Sequence, residues 1–349
     1  MGIHRQIVEF AEAGRDCAVA LILKAEGSTP REAGVKAIIE ATGKIHGTLG
    51  GGAVEAEAQR RAVEACRSGH PAVFDIELEG ASAQGDQPIC GGAMRILADP
   101  TAAKDRACYA QVAEAVDQRR RGALLTIVRT EAEVQVDVQW VPEEATEGLP
   151  HAETIRSCLE DGEARLMVEG GEGVEVLVEP VIPEPLLLIV GGGHIGQALA
   201  RQAVLIGFDV TVIDDRPEFT DPSLFPEGVR TRCGEVAAEL AACPIAEDTY
   251  IVLVTRGHRH DTEALAACIH APAAYIGMIG SKRKVALVRR QFLESGLATE
   301  EELDRVFAPI GLDIGAETVP EIATSIAAQL VAVRRKSGPY TPPGDMVLR

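Results

Sequence analysis

Residues 186–200 read LLLIVGGGHIGQALA, an unbroken apolar run, a cluster of glycines and then apolar residues at helical spacing. Few backbones accept that order. An all-apolar strand must be buried on both faces, and a chain leaving it through glycine can turn at once into a helix that packs back on the sheet. Gly191, Gly193 and Gly196 form G-x-G-x-x-G. The first glycine permits the tight turn, the second lets backbone approach a pyrophosphate, and the third lets helix and strand pack closely. Amides and the helix dipole, with His194 at the helix start, then supply positive potential without a lysine. Asp214, twenty-three residues after Gly191, ends the next apolar strand, where a carboxylate can accept from ribose hydroxyls.

The pattern repeats downstream. TYIVLVTRG and AAYIGMIGS are further apolar strands separated by helical stretches, which predicts an α/β unit with a doubly wound parallel sheet. Ligands of such sheets sit beyond the carboxyl ends of the strands, so the polar segments there are candidates. TRGHRHD is expected as a loop carrying His258, His260 and Asp261, either touching a ligand or holding a metal. IGMIGSKRK places Ser281, Lys282, Arg283 and Lys284 at a helix start, either as a second anion site or as a solvated face. Thr318 and Glu321 announce a last helix by a capping box. None of Tyr109, Tyr250, Tyr275 and Tyr340 stands in a Y-x-x-x-K pair, which weakens a hydride-transfer reading.

The first half has a different rhythm. Segments 18–25, 35–40 and 72–78 read as strands, 53–68 and 106–122 as helices, and ALLTIVRT, EVQVDVQWV and ARLMVEGGEGVEVLVEP as alternating strands and a hairpin. This predicts an α+β domain, antiparallel in part. The Pro-containing VIPEPL marks the boundary, giving domains over 1–182 and 183–349. Two further glycine clusters fall in the first domain. GSTPR begins at Gly27, and Gly50, Gly51 and Gly52 immediately precede a helix, where their backbone can approach a planar or phosphorylated ligand. Glu55 suits the first turn of that helix on dipole grounds alone. Cys90, followed by Gly91 and Gly92, is either a buried structural thiol or an accessible one favoured as thiolate by nearby amides.

The net charge of the 349-residue chain is −19, which disfavours nucleic acid and anionic membrane surfaces as partners. No apolar run approaches the ~18 residues of a membrane span. MGIHRQIVEFAEAG reads as a first helix rather than a secretion signal. Eight scattered cysteines without a C-x-x-C pair suit a reducing cytoplasm.

EGSTPREAGVKAII, GTLGGGAVEAEA, CGGAMRIL, IVGGGHIGQALA, VTVIDDRPEF, VTRGHRHD, YIGMIGSKRK and APIGLDIGAETVPEIA together resemble the XdhC/CoxI family, maturation factors for molybdenum hydroxylases such as xanthine dehydrogenase and carbon monoxide dehydrogenase. The likeness covers both ends of the chain and is weak over 101–180. It implies a Rossmann-like C-terminal domain and an accessory role without catalysis. Such a chaperone binds the molybdenum cofactor (molybdopterin or its dinucleotide), protects it, assists its sulfuration by a cysteine desulfurase and delivers it to an apo molybdenum hydroxylase. On that reading the amides of residues 191–196 and 281–284 take phosphate or nucleotide, and Gly50, Gly51, Gly52 and Cys90 face the metal end. An NAD(P)-dependent oxidoreductase and a sulfurtransferase carrying persulfide on Cys90 are the rival readings. NAD(P) stays a candidate ligand and a homodimer a candidate assembly.

Overall fold

The computed structural model describes residues 2–78, 91–169, 173–256 and 258–335. Contacts cluster into two compact units, Met1–Pro183 and Glu184–Arg349. Among the described residues, no helix is long and apolar enough to cross a membrane.

The first unit contains α1 (Ile3–Glu12), β1 (Cys17–Gly27), β2 (Lys36–Glu40), β3 (Ile45–Gly47), α2 (Gly52–Ser68), β4 (Ala72–Leu78) and β5 (Gly92–Asp99). It continues with α3 (Arg106–Asp117), β6 (Gly122–Arg129), β7 (Gln135–Pro142), α4 (Ala152–Asp161), β8 (Arg165–Glu169) and β9 (Val174–Val181). The strands make two sheets, β3-β2-β1-β5-β4 and β7-β6-β9-β8. Every pairing in them is antiparallel. The helix expected over 106–122 stops at Asp117, and α4 falls in the stretch where the sequence carries least signal.

β1 shows why the layers form. Ala18, Ala20 and Ile22 face α2, whose Val54, Ala58, Ala62 and Ala65 repeat at helical spacing. The small alanines let helix and sheet approach closely. The alternate residues point the other way: Leu21 and Leu23 pack with Val128, Val136 and Leu177 of the second sheet. One strand thus supplies two cores, because side chains alternate across a strand.

Between the sheets lies a buried ion pair, Lys36 of β2 with Glu179 of β9, at 8% and 6% exposure. The Thr126 hydroxyl donates to the other Glu179 oxygen at 3.3 Å. Burial pushes the Glu179 carboxyl above its usual range, opposed by Lys36.

The second unit contains β10 (Leu186–Val190), α5 (His194–Leu205), β11 (Asp209–Asp214), β12 (Arg230–Cys233), α6 (Val236–Ala241), β13 (Thr249–Leu253), α7 (His258–Cys268) and β14 (Tyr275–Met278). It ends with α8 (Lys282–Ser295), α9 (Glu300–Asp304), β15 (Val306–Phe307) and α10 (Val319–Arg335). The sheet is parallel in the order β12-β11-β10-β13-β14-β15. This is the doubly wound arrangement expected of the glycine motif, with the strand order reversing beside β10. All of β10 is buried: Leu186, Leu188 and Val190 pack with α7 and α8, while Leu187 and Ile189 pack with α5 and α10. Ahead of α10, the Glu321 carboxylate accepts from the amides of Glu317 and Thr318, which fixes the helix entry.

Replacing one partner of a buried ion pair leaves the other uncompensated. Lys36→Met is therefore expected to cost about 3–5 kcal/mol of unfolding free energy, and Lys36→Met with Glu179→Met to recover most of it. Chemical denaturation of both variants checks this; equal losses would show that the pair does not set the cost.

Candidate functional site

The glycine turn after β10 is shaped by main chain lying against main chain. A β-carbon on Gly191 (φ +117°) would meet the Val254 carbonyl at 2.6 Å, and one on Gly196 would meet the Gly191 carbonyl at 1.9 Å. Gly192, which the three-glycine pattern does not count, would clash with the Phe219 carbonyl at 2.1 Å. Gly193 differs, with nothing within 4 Å and an ordinary φ of −67°. Three of these glycines serve packing, and the fourth opens outward at the start of α5. No side chain caps that helix, and His194 in its first turn is exposed. This is the backbone arrangement that takes a phosphate.

Asp214 is placed as expected, at the end of β11, but its carboxylate is already employed. Its Oδ2 accepts from the Gly192 amide at 2.8 Å and from Arg216 Nη2 at 2.9 Å. Its Oδ1 accepts from the Arg216 amide at 3.0 Å and Nε at 2.9 Å. Burial works to raise the Asp214 pKa, yet the bonds from Arg216 and Gly192 outweigh it and hold the group below the usual carboxylate range. The residue braces the turn from inside. Arg216 in turn lies over the Phe219 ring, 3.9 Å from its centroid.

A cavity of about 210 Å³ opens at these strand ends, lined by Gly191, Asp214, Asp215, Arg216, Thr255, Arg256 and His260 among others. Sequence reasoning misses Arg216, Asp215 and Arg256. The signal for Arg216 is its place two residues after the acid that ends the strand.

The segment expected as a loop with His258, His260 and Asp261 is instead the opening of α7, with Asp261 in its first turn. Asp261 is fully buried and binds the Thr255 hydroxyl and the Lys284 ammonium, so it ties the end of β13 to α8. The helix wins over the loop because this acid, in its first turn, finds partners in the core. His260 reaches the cavity wall, while the side chain of His258 lies outside the described residues. Among the described residues no group of three or more His, Cys, Asp or Glu is placed to hold a metal. Ser281 caps α8 by accepting from the Lys284 amide at 3.3 Å, with Lys282 and Arg283 exposed beside it.

In the first unit the glycine clusters come together. A β-carbon on Gly27 would meet the Gly91 carbonyl at 2.7 Å, and the Ser28 amide donates to that carbonyl at 3.3 Å. Gly50 lies against Pro30, at 2.6 Å for the same test. Thus the loops at 27–31, 50–52 and 91–92 are neighbours, and Cys90 precedes the last of them. Cys90 itself lies outside the described residues. The amides of Leu49 and Gly51 donate to the Glu55 carboxylate, both at 3.2 Å, and Thr48 joins them at 2.8 Å. Glu55 therefore organises the loop rather than only serving the helix dipole. Gly51 and Gly52 retain open space beside positive φ values. A cavity of about 580 Å³ adjoins the first loop, lined by Gly27, Ser28, Thr29, Glu32, Glu163 and Glu179 among others.

Gly196→Ala is expected to destabilise the protein by at least about 2 kcal/mol, because the new carbon meets the Gly191 main-chain carbonyl, which cannot swing aside as a flexible side chain would. Gly193→Ala should change stability by less than about 1 kcal/mol while weakening ADP binding about tenfold. Thermal unfolding and calorimetric titration separate the two. The depressed Asp214 pKa adds a pH test. Its contribution is complete above the ordinary carboxylate pKa and is lost as the pH falls through the lower folded value. Asp214→Asn should abolish that part of the acid destabilisation.

Residues 10–77 match the model of the XdhC and CoxI family, and residues 187–330 match that of the XdhC Rossmann domain. The chain is 28% identical to "Uncharacterized protein YqeB" of Escherichia coli (strain K12) over 100% of its own length, and spans about half (48%) of that relative. It is 22% identical to a probable xanthine dehydrogenase subunit of Bacillus subtilis (strain 168), covering 95% of this chain and 98% of that protein. It is 24% identical to "Molybdenum cofactor insertion chaperone PaoD" of Escherichia coli (strain K12), covering 95% and 89%. A crystal structure described as a xanthine dehydrogenase from Bacillus halodurans shares the fold, with a TM-score of 0.75, 22% identity and coverage of 98% and 99%. The two matched models follow one another along the sequence, one in each compact unit, and the chain belongs to the XdhC and CoxI family.

Proposed function

We propose that this protein is a maturation factor that binds the molybdenum cofactor, guards it during sulfuration by a cysteine desulfurase, and inserts it into an apo-hydroxylase of the xanthine dehydrogenase or carbon monoxide dehydrogenase type. The observation that carries the proposal is the near end-to-end alignment with a molybdenum cofactor insertion chaperone, together with both family models. The role is that of an accessory protein in the cytoplasm, acting as a monomer or homodimer, on residues 1–182 and 183–349 as its two domains.

The residues suit such a cargo. A phosphate or pyrophosphate needs N–H donors without a competing acid, and the uncapped start of α5 at Gly193, with open space beside it, offers them. Ser281, Lys282 and Arg283 at the start of α8 are a second candidate for the same group. When bound, the cofactor supplies a metal–dithiolene centre whose terminal oxygen is exchanged for sulfur. Toward it this chain contributes open backbone at Gly51 and Gly52, braced by Glu55, and the thiol of Cys90 one residue from Gly91.

Co-expression with molybdate, followed by metal and pterin analysis of the purified chain, tests the role. A cofactor-loaded chain that activates apo-hydroxylase is expected; a chain that carries neither molybdenum nor pterin would overturn it. Cys90→Ala is expected to lower molybdenum retained per chain severalfold with the fold intact. Unchanged retention removes Cys90 from the site.

A further inference from the structure

We infer that the cavity at the carboxyl ends of β11 and β13 takes a nucleotide whose ribose carries a phosphate at the 2′ position, and that Arg216 recognises it. The inference rests on reading residues 191–196 as a nucleotide cradle, and it assigns that cradle to a nucleotide distinct from the cargo proposed above, whose phosphate then falls to Ser281, Lys282 and Arg283 at the start of α8.

A nucleotide with its pyrophosphate at the start of α5 brings a ribose to the end of β11. A ribose with both hydroxyls intact is held there by a carboxylate that accepts from them. Asp214 does not have that capacity. A carboxylate has about four acceptor positions, and Asp214 fills them with the Gly192 amide, the Arg216 amide, Nε and Nη2. What remains at the position is the outer edge of the Arg216 guanidinium, whose charge Asp214 already balances. The two parallel bonds to Asp214 use Nε and Nη2 of Arg216, which leaves Nη1 for a ligand. The guanidinium is held rigid from both sides, by Asp214 along its edge and by the Phe219 ring 3.9 Å beneath its face.

A second guanidinium adjoins the first, against the carboxylates of Asp214 and Asp215. Exposed Arg256 lines the same cavity from the end of β13, with Thr255 and His260 beside it. Asp215 is half exposed, 3.7 Å from Arg216 Nε, and supplies an acceptor for the neighbouring 3′-hydroxyl while it opposes a second charge. That opposition makes the proposal testable at a surface residue.

The experiment is calorimetric titration of the full chain with adenosine 2′,5′-bisphosphate and, separately, with adenosine 5′-monophosphate. The bisphosphate is expected to bind at least about tenfold more tightly, the size of a charge-assisted pair. Arg216→Lys, which keeps the charge and loses the fork, should remove most of that preference, with thermal unfolding confirming the fold. Asp215→Asn should strengthen bisphosphate binding severalfold. Equal affinity for the two probes, or weaker binding of both by Asp215→Asn, would overturn the 2′-phosphate assignment and leave the cradle standing. Failure of the chain to bind either probe would overturn the assignment and the cradle together.

Discussion

A β-carbon at position 196 would sit 1.9 Å from the Gly191 carbonyl oxygen, and one at position 92 would sit 2.6 Å from the Glu26 carbonyl. Both units bring polypeptide backbone directly against backbone, and both candidate surfaces exist because of it. Contact at that range puts amide and carbonyl groups of one turn beside those of another, so peptide dipoles contribute to the local potential alongside the charged side chains. For a chain of net charge −19 this matters. A cluster of lysines would be drawn to the abundant carboxylates, whereas an amide at a helix start keeps its orientation.

The same economy governs the acids at the two glycine turns. Asp214 and Glu55 each accept from glycine amides and hold a turn in shape. Neither is then available as an acceptor for a bound molecule to the degree an isolated carboxylate would be. The outward-facing elements are the residues next to them: Gly193, Gly51 and Gly52, which have open space, and Arg216, whose geometry Asp214 fixes.

Much of this is legible from residue patterns. The apolar strands and the glycine triad specify the parallel sheet, because few other backbones satisfy both, and the hairpin over β8 and β9 follows from alternation on either side of the sequence GGEG. The placement of Asp214 at a strand end is equally readable. Its occupation is not, since the four donors it meets come from residues 192 and 216, and only the folded turn brings them together. Nor can spacing distinguish Gly193 from Gly191, Gly192 and Gly196. That distinction depends on where Val254 and Phe219 pass. The start of α7 reads as a loop in the sequence because TRGHRHD is polar and follows a strand, while the partner that buries Asp261, Lys284, lies twenty-three residues later. Convergence of the loops at 27–31, 50–52 and 91–92 is likewise a product of strand order, with β1 between β2 and β5.

β1 has a consequence for how the first unit comes apart. Its alternate side chains belong to different apolar layers, one shared with α2 and one with the opposing sheet. Removing it would strip both layers at once, so neither can melt while the other persists. Amide protons of α2 and of β6 and β9 should therefore exchange with deuterium through one common opening event, and the loops carried at the end of β1 keep their register for as long as that event is rare.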